Sequence, residues 1–370
     1  MHMDLPQTDD YRSILLNDTP LLDVRAPVEF TQGAFPFAEN FPLLDNRERE
    51  EIGIRYKERG QDEAIRLGHK LVQGEIKSQR ISYWQNFFER NPQGVLYCFR
   101  GGMRSKISQQ WIYEQTGSIF PRIKGGYKAM RRFLIDELKT STEYIKPIML
   151  GGRTGIGKTI LLGKLKQQID LEGIYHHRGS VFGKHATPQQ SQIDIENRLS
   201  IELLKLRNKE YSHIVIEDEG TSIGSRSIPD VLFNKMKQSP LIVLEASVDE
   251  RINITFQEYI IESLAEHQLH HGDEEGFESW AEQLQTSIDK IQRRLGGARH
   301  KELKALLSDA ISLQLSTGNT EHHKEWIKLL LVDYYDPMYD FQTAKKEDRV
   351  VFRGQKNDVL AYLQSHYRIT

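Results

Sequence analysis

The run Gly151-Gly152-Arg153-Thr154-Gly155-Ile156-Gly157-Lys158-Thr159 constrains this chain more than any other. It carries the spacing G-x-x-x-x-G-K-T. It follows an apolar run, PIML (147–150), and precedes KTILLGKLKQQI, which reads as a helix. Glycines let the backbone wrap until several N–H groups face one phosphate, and the helix that follows adds the positive end of its dipole. Lys158 supplies a full charge, and the Thr159 hydroxyl can ligate Mg²⁺. Strand, turn and helix in that order predict a parallel α/β unit with a P-loop. Gly152, Gly155, Gly157, Lys158 and Thr159 are its predicted diphosphate-binding residues. The usual acidic partner ends a second strand and holds the metal through water. SHIVIE (212–217) leads into Glu217, Asp218 and Glu219. The spacing does not separate the three, and Asp218 is taken with Thr159 as the expected metal pair. Such a turn recognises a diphosphate and not a base, so any diphosphate ester fits, including one whose diphosphate leaves.

The second constraint is a lone cysteine. Cys98 is the only one in the chain, which excludes an intrachain disulfide and a multi-cysteine zinc site. It ends the apolar run GVLYC (94–98) and is followed by Phe99, Arg100, Gly101, Gly102, Met103, Arg104 and Ser105, then by the helical stretch KISQQWIYEQ. A cysteine between a strand and a helix start meets converging backbone N–H groups and two nearby arginines, which favour thiolate. Cys98 is the predicted nucleophile, with Arg100, Gly101, Gly102, Arg104 and Ser105 as its loop. The spacing Cys, five residues, Arg serves two chemistries: a carrier of sulfur or selenium, and a cysteine-dependent phosphatase. Many such phosphatases have His before the Cys; here it is Tyr97.

Around these motifs the chain reads as two α/β units. PLLDV (20–24), GVLYC and SIFPRI (118–123) are short apolar runs bounded by turn residues, hence buried parallel strands. Polar helical stretches such as NREREEIGIRYKERG lie between them. A boundary near Ser141–Lys146 separates a first domain, 1–140, from a second, 141–370. PIML, SHIVIE and PLIVLEA (240–246) are strands of the second. From about Asp249 the chain reads as mostly helical, with RVVFRG as a late edge strand. The predicted fold class is α/β throughout: a doubly wound first domain, then a P-loop domain with a mostly helical C-terminal part.

With 38% hydrophobic and 28% charged residues, the chain has the composition of a folded globular protein. No apolar run approaches the ~20 residues that span a bilayer. MHMDLPQTDD has neither the basic nor the apolar region of a secretory signal, so a cytoplasmic place is expected. Net charge is −2, which by itself does not point to a polyanionic partner. Locally, RIKGGYKAMRR carries Arg122, Lys124, Lys128, Arg131 and Arg132 and no acid. These five are candidate nucleic-acid phosphate contacts. RRLGGARHK is a second basic run. HRGSVFGKH (177–185) is a polar, glycine-containing segment that reads as a surface loop. His267, His270 and His271 look like a metal cluster but sit in a stretch that reads as a solvated helix end.

LLDVRAPVEFTQGAFPFAENFPL (21–43) resembles the entry segment of rhodaneses, and Asp23 and Arg25 in it read as a structural ion pair. One departure is visible: Phe37 stands where such segments often have a small residue. Taken with YKERGQDEAIRLGHKLV, YCFRGGMRS, GGYKAMRRFL, GGRTGIGKT, HRGSVFG and IEDEG, nearly the whole chain resembles the tRNA 2-selenouridine synthase family, a rhodanese-like domain fused to a P-loop domain. The resemblance implies a transferase acting on tRNA that carries 2-thiouridine at the wobble position. Geranyl diphosphate and selenophosphate would be co-substrates, with Mg²⁺ as a cofactor. Cys98 would carry selenium, and for Tyr127 stacking on a base and simple packing are both open. For HRGSVFGKH the resemblance implies instead that His177, Arg178 and Lys184 face a diphosphate. A cysteine phosphatase joined to a kinase-like domain, an NTPase that rearranges tRNA, and an RNA-binding adaptor are the competing readings.

Overall fold

The computed structural model of the protein describes residues 5–370; the first four residues of the N-terminal stretch lie outside it. The chain divides into two compact units. One holds the residues up to Ser141 together with Ser191–Lys205; the other holds Thr142–Gln190 and Leu206–Thr370. The sequence predicts one cut near 140 and does not predict the return of 191–205 to the first unit.

The first unit is built on five parallel strands: β1 (Gln7–Thr8), β2 (Leu21–Asp23), β3 (Ala38–Asn40), β4 (Val95–Tyr97) and β5 (Arg122–Ile123), in the order β1-β5-β4-β2-β3. Alternate residues of a strand face opposite sides of the sheet. Leu21, Val95 and Tyr97 therefore pack into one core, and Leu22, Leu96 and Cys98 into the other. Both faces are covered, so the strands read as unbroken apolar runs. Met130, Leu134, Ile201 and Leu204 close the first core, which is why the segment 191–205 belongs here.

Six helices accompany this sheet: α1 (Tyr11–Leu16), α2 (Pro27–Gln32), α3 (Asn46–Leu71), α4 (Gly74–Arg90), α5 (Met103–Thr116) and α6 (Gly126–Tyr144). α3 starts on a capping box: Asp45 accepts from the Glu48 N–H at 2.7 Å, and Glu48 accepts from the Asp45 N–H at 2.8 Å. It is kinked at Gly60, whose φ of 80° and ψ of −175° are not helical, so it forms two limbs. Phe37 adopts a left-handed φ of 63° with its ring 58% exposed. Its carbonyl still accepts the Leu21 N–H at 3.1 Å. The loop thus keeps a conformation that suits glycine, at a cost of about 1–2 kcal/mol.

The second unit holds another all-parallel sheet. Its strands are β6 (Lys146–Gly151), β7 (Gln168–Ile169), β8 (His213–Glu217), β11 (Leu241–Leu244) and β12 (Val350–Gly354), in the order β12-β11-β6-β8-β7. A small antiparallel pair, β9 (Ser222–Ile223) and β10 (Arg226–Ser227), stands apart. RVVFRG is an edge strand, as read. KTILLGKLKQQI is not one helix. α7 (Lys158–Leu162) stops at Gly163, and Gln168–Ile169 pairs with β8, where the Val215 N–H donates to the Gln167 carbonyl at 2.9 Å. The helical remainder forms its own core around Trp280, Trp326, Leu284, Ile288, Leu303 and Leu330. No helix among the described residues is long and apolar enough to cross a membrane.

Candidate functional site: a cysteine loop and a P-loop

β4 delivers Cys98 at its carboxyl end, and the chain turns through Arg100, Gly101 and Gly102 into α5. The Cys98 sulfur lies 3.2 Å from Ser105 Oγ and 4.0 Å from the Gly102 carbonyl. Among the described residues no backbone N–H is bonded to it. The hydroxyl of Ser105, rather than the converging N–H groups expected from sequence, is the nearest polar group. The sulfur is also covered, with Cys98 only 3% exposed.

The loop is braced by the segment that follows β5. The N–H groups of Tyr127 and Lys128 donate to the carbonyls of Cys98 and Phe99, each at 2.9 Å. This needs close approach: a Cβ on Gly126, which has a φ of 61°, would overlap the Cys98 carbonyl oxygen. Arg122 is buried, donating to the Gly101 carbonyl at 2.8 Å and to Gln109 Oε1 at 3.0 Å. Arg122 is therefore a brace of the cysteine loop and not a nucleic-acid contact. Arg131 is also turned inward, paired with Glu196 and donating to Asn197 Oδ1 at 2.9 Å. Lys124, Lys128 and Arg132 remain exposed; Lys124 pairs with Asp9, and Arg132 with Asp136. Tyr127 is a packing residue, with the Arg25 guanidinium 3.9 Å above its ring. Arg25 and Asp23 form a buried pair at 2.6 Å, and Arg25 also donates to the Gly33 carbonyl.

Arg104 pairs with Glu29, which also holds Arg49 at 3.2 Å. Burial alone would raise the Glu29 pKa; the hydrogen bond and charge of Arg104 outweigh it and hold the carboxyl below its ordinary value. Arg100 is exposed and, among the described residues, has no carboxylate partner. It is the loop's available cation.

In the second unit, β6 runs into the P-loop and α7. Gly155 has a φ of 72°, and a Cβ there would collide with Thr255 Oγ1. Arg251 anchors the loop through the Thr154 carbonyl at 3.0 Å and is itself held by Asp336. Arg153 is turned away to Asp340. Lys158 is half-buried. Desolvation opposes its charge, but Tyr339, Glu172, Glu219 and Glu217 raise its pKa above the ordinary lysine value, so it stays protonated.

Of the three carboxylates at the strand end, Glu217 and not Asp218 touches Thr159. Asp218 is tied to Lys346 at 2.6 Å. Glu217 instead meets Thr159: its Oε1 accepts from Thr159 Oγ1 at 3.2 Å, and its Oε2 accepts the Glu172 N–H at 3.0 Å. Glu217 ends β8 against Thr159, whereas Asp218, just past the strand, lies beside Gly151 and is held by Lys346. Burial and Glu172 push the Glu217 pKa well up. Burial likewise raises Glu219 and Glu258, each to about 7. Sequence reasoning missed Glu172 and Glu258, because neither lies in a motif.

HRGSVFGKH sits beside this cluster, since the Arg178 charge lowers the pKa of both Glu172 and Glu258. His177 is buried and held neutral, its pKa lowered by burial and by His185 to about 4. His185 bonds Glu266 at 2.9 Å and stacks on His176. His267 is buried against Ser279, while His270 and His271 lie at the exposed helix end.

An all-parallel unit with a cysteine loop, joined to an all-parallel unit with a P-loop, defines a two-unit α/β protein. A family model described as tRNA 2-selenouridine synthase AAA domain matches residues 145–369. A tRNA 2-selenouridine synthase from Marinobacter nauticus is 48% identical over 360 residues, 97% of this chain and 98% of that protein. Proteins of the same name from Sulfurovum sp. and Bordetella petrii are 46% and 47% identical, over 98% and 96% of this chain and 99% and 96% of theirs. This chain belongs to the tRNA 2-selenouridine synthase family.

Proposed function

We propose that this protein converts 2-thiouridine at the wobble position of tRNA to 2-selenouridine through S-geranyl-2-thiouridine, using geranyl diphosphate and selenophosphate. Alkylation turns the thiocarbonyl sulfur into a leaving thiol, so a soft nucleophile can replace it at C2. The observation that carries this reading is the pairing of two different centres in one chain. Lys158 and the P-loop backbone suit a diphosphate that leaves; the thiol of Cys98 suits chalcogen delivery. A divalent cation fits the second unit, because the Thr159 hydroxyl meets the Glu217 carboxylate beside further buried carboxylates whose pKa values are raised. Thr159 and Glu217 would hold Mg²⁺, which neutralises charge on a diphosphate. Lys124, Lys128 and Arg132 are the exposed cations of RIKGGYKAMRR for the tRNA backbone. A cytoplasmic reaction is part of the same reading, since tRNA is its substrate.

The test is a purified reaction followed by mass spectrometry of wobble nucleosides. Lys158→Ala is expected to block S-geranyl product in the absence of ATP, and Cys98→Ser to allow geranylation but not selenation. Full geranylation by the first variant, or wild-type selenation by the second, overturns the assignment. ATP hydrolysis stimulated by tRNA, with geranylation absent, would favour an NTPase instead.

A further inference from the structure

Two cavities of the first unit adjoin the cysteine loop. One, of about 360 Å³, has walls that are mostly hydrocarbon: Leu43, Leu44, Ala64, Ile65, Ile107 and Trp111. The kink at Gly60 shapes it, since Ile52 and Tyr56 come from the first limb of α3 and Ala64 and Gly68 from the second. Gly102, Met103 and Arg104 form the side toward Cys98. The other cavity, of about 1010 Å³, is of mixed character: Phe99 and Tyr127 line it together with the exposed cations Arg100 and Lys57, with Glu50, and with Glu29 held by Arg49 and Arg104. The two share Leu44, Ile52, Tyr56 and Arg104 as a common wall.

Transfer of a small chalcogen anion needs charge and hydrogen-bond donors; it gives no use for a hydrocarbon chamber. Open apolar walls are costly in water and mark a binding surface. Tyr56, 56% exposed, and the exposed Met103 stand at this one. The complement to a groove that offers Arg100 and Lys57, beside an apolar chamber that shares its wall, is an amphiphile: a polar, phosphate-bearing group on one side and a hydrocarbon chain on the other.

We propose that the apolar cavity is a hydrocarbon subsite that receives the S-linked prenyl chain of the modified uridine while the nucleotide occupies the groove along Phe99 and Arg100. This rests on the reading of Cys98 as the selenation centre. The chain, buried against Ala64, Ile107 and Trp111, orients the C2–S bond over the cysteine loop and receives the departing prenyl thiol.

The test has two arms, both on the full-length protein. In the first, S-geranyl- and S-methyl-2-thiouridine nucleosides are titrated against wild type, Ala64→Phe, which fills the cavity, and Tyr56→Asp, which charges its mouth without disturbing the interior. The geranyl compound is expected to bind wild type at least ten times more tightly than the methyl compound, and each variant to lose most of that ratio. In the second, the ratio of kcat/KM for S-geranyl- over S-methyl-tRNA in selenation should fall at least ten-fold in the same variants. An unchanged ratio, or parallel loss on both substrates, overturns the subsite. Binding does not require the sulfur to react. If Cys98→Ser selenates normally, the reading of the thiol fails, while the binding ratios still decide the cavity.

Discussion

At the scale of single residues, the cysteine loop depends on backbone contacts that no side chain can replace. Gly126 touches the Cys98 carbonyl so closely that Gly126→Ala must push the loop aside. We expect it to destabilise the protein by about 2–4 kcal/mol, read from urea unfolding. It should also change the rate at which iodoacetamide alkylates Cys98, because the cover over the sulfur moves. The motif GGYK was visible in the sequence, but its purpose was not. A basic run says that charge is present and cannot say which cations are spent inside; Arg122 and Arg131 are, and Lys124, Lys128 and Arg132 are not. The acidic strand end is a similar case, since composition offers three carboxylates and only the folded contact with Thr159 singles out Glu217. Glu217→Gln is therefore expected to lower the geranyl-transfer rate by about 100-fold. Asp218→Asn should lower it by less than about ten-fold. Equal effects, measured in single-turnover assays at saturating Mg²⁺, would contradict the assignment of Glu217.

At the scale of elements, long amphipathic helices were legible and short pieces were not. EEGFESWAEQLQTSIDKIQRRL shows its buried face as Trp280, Leu284, Ile288, Ile291 and Leu295, at helical spacing. Strands of two or three residues, such as Gln7–Thr8 and Gln168–Ile169, are too short to display a period, and the sheet alone defines them. Helix ends also carry polar groups that sequence undervalues. His323, 0% exposed, is held between two partners: the Trp326 indole N–H donates to its Nδ1 at 2.8 Å, and its Nε2 faces Gln314 Oε1 at 2.8 Å. The ring is thus locked neutral, and burial lowers its pKa from 6.5 to about 4. The unfolded chain takes up the proton first as the medium acidifies. The stability this histidine contributes is fully present above about pH 6.5 and is lost as pH falls to about 4, on the order of 3 kcal/mol. Thermal unfolding of wild type should steepen over that range, and His323→Gln should be flatter. An identical slope for the two would refute this.

At the scale of the whole molecule, the order of motifs along the chain gave the two α/β units, but not the exchange of a segment between them. Asp194 accepts the Ala34 N–H at 2.6 Å, Asn197 donates to the Ala34 carbonyl at 2.6 Å, and Ile201 and Leu204 fill the core beside Met130 and Leu134. Contacts so distant in sequence leave no local pattern to read. They do make a prediction: a fragment ending at Ser141 should melt well below the full-length protein or fail to fold cooperatively, as followed by circular dichroism. Adding back residues 191–205 through a flexible linker should recover the transition. A fragment as stable as the parent unit would show the segment to be dispensable.

That same segment sets a timetable for biosynthesis. The ribosome makes Cys98 early, yet the core on the opposite face of its sheet is closed only after Leu204 has emerged, by which time the whole glycine turn at Lys158 has been translated. A message truncated between the two would leave a nascent rhodanese-like lobe with an open flank, prone to capture by chaperones. The sheet that carries the sulfur is therefore completed only in a chain that already carries its phosphate-binding counterpart.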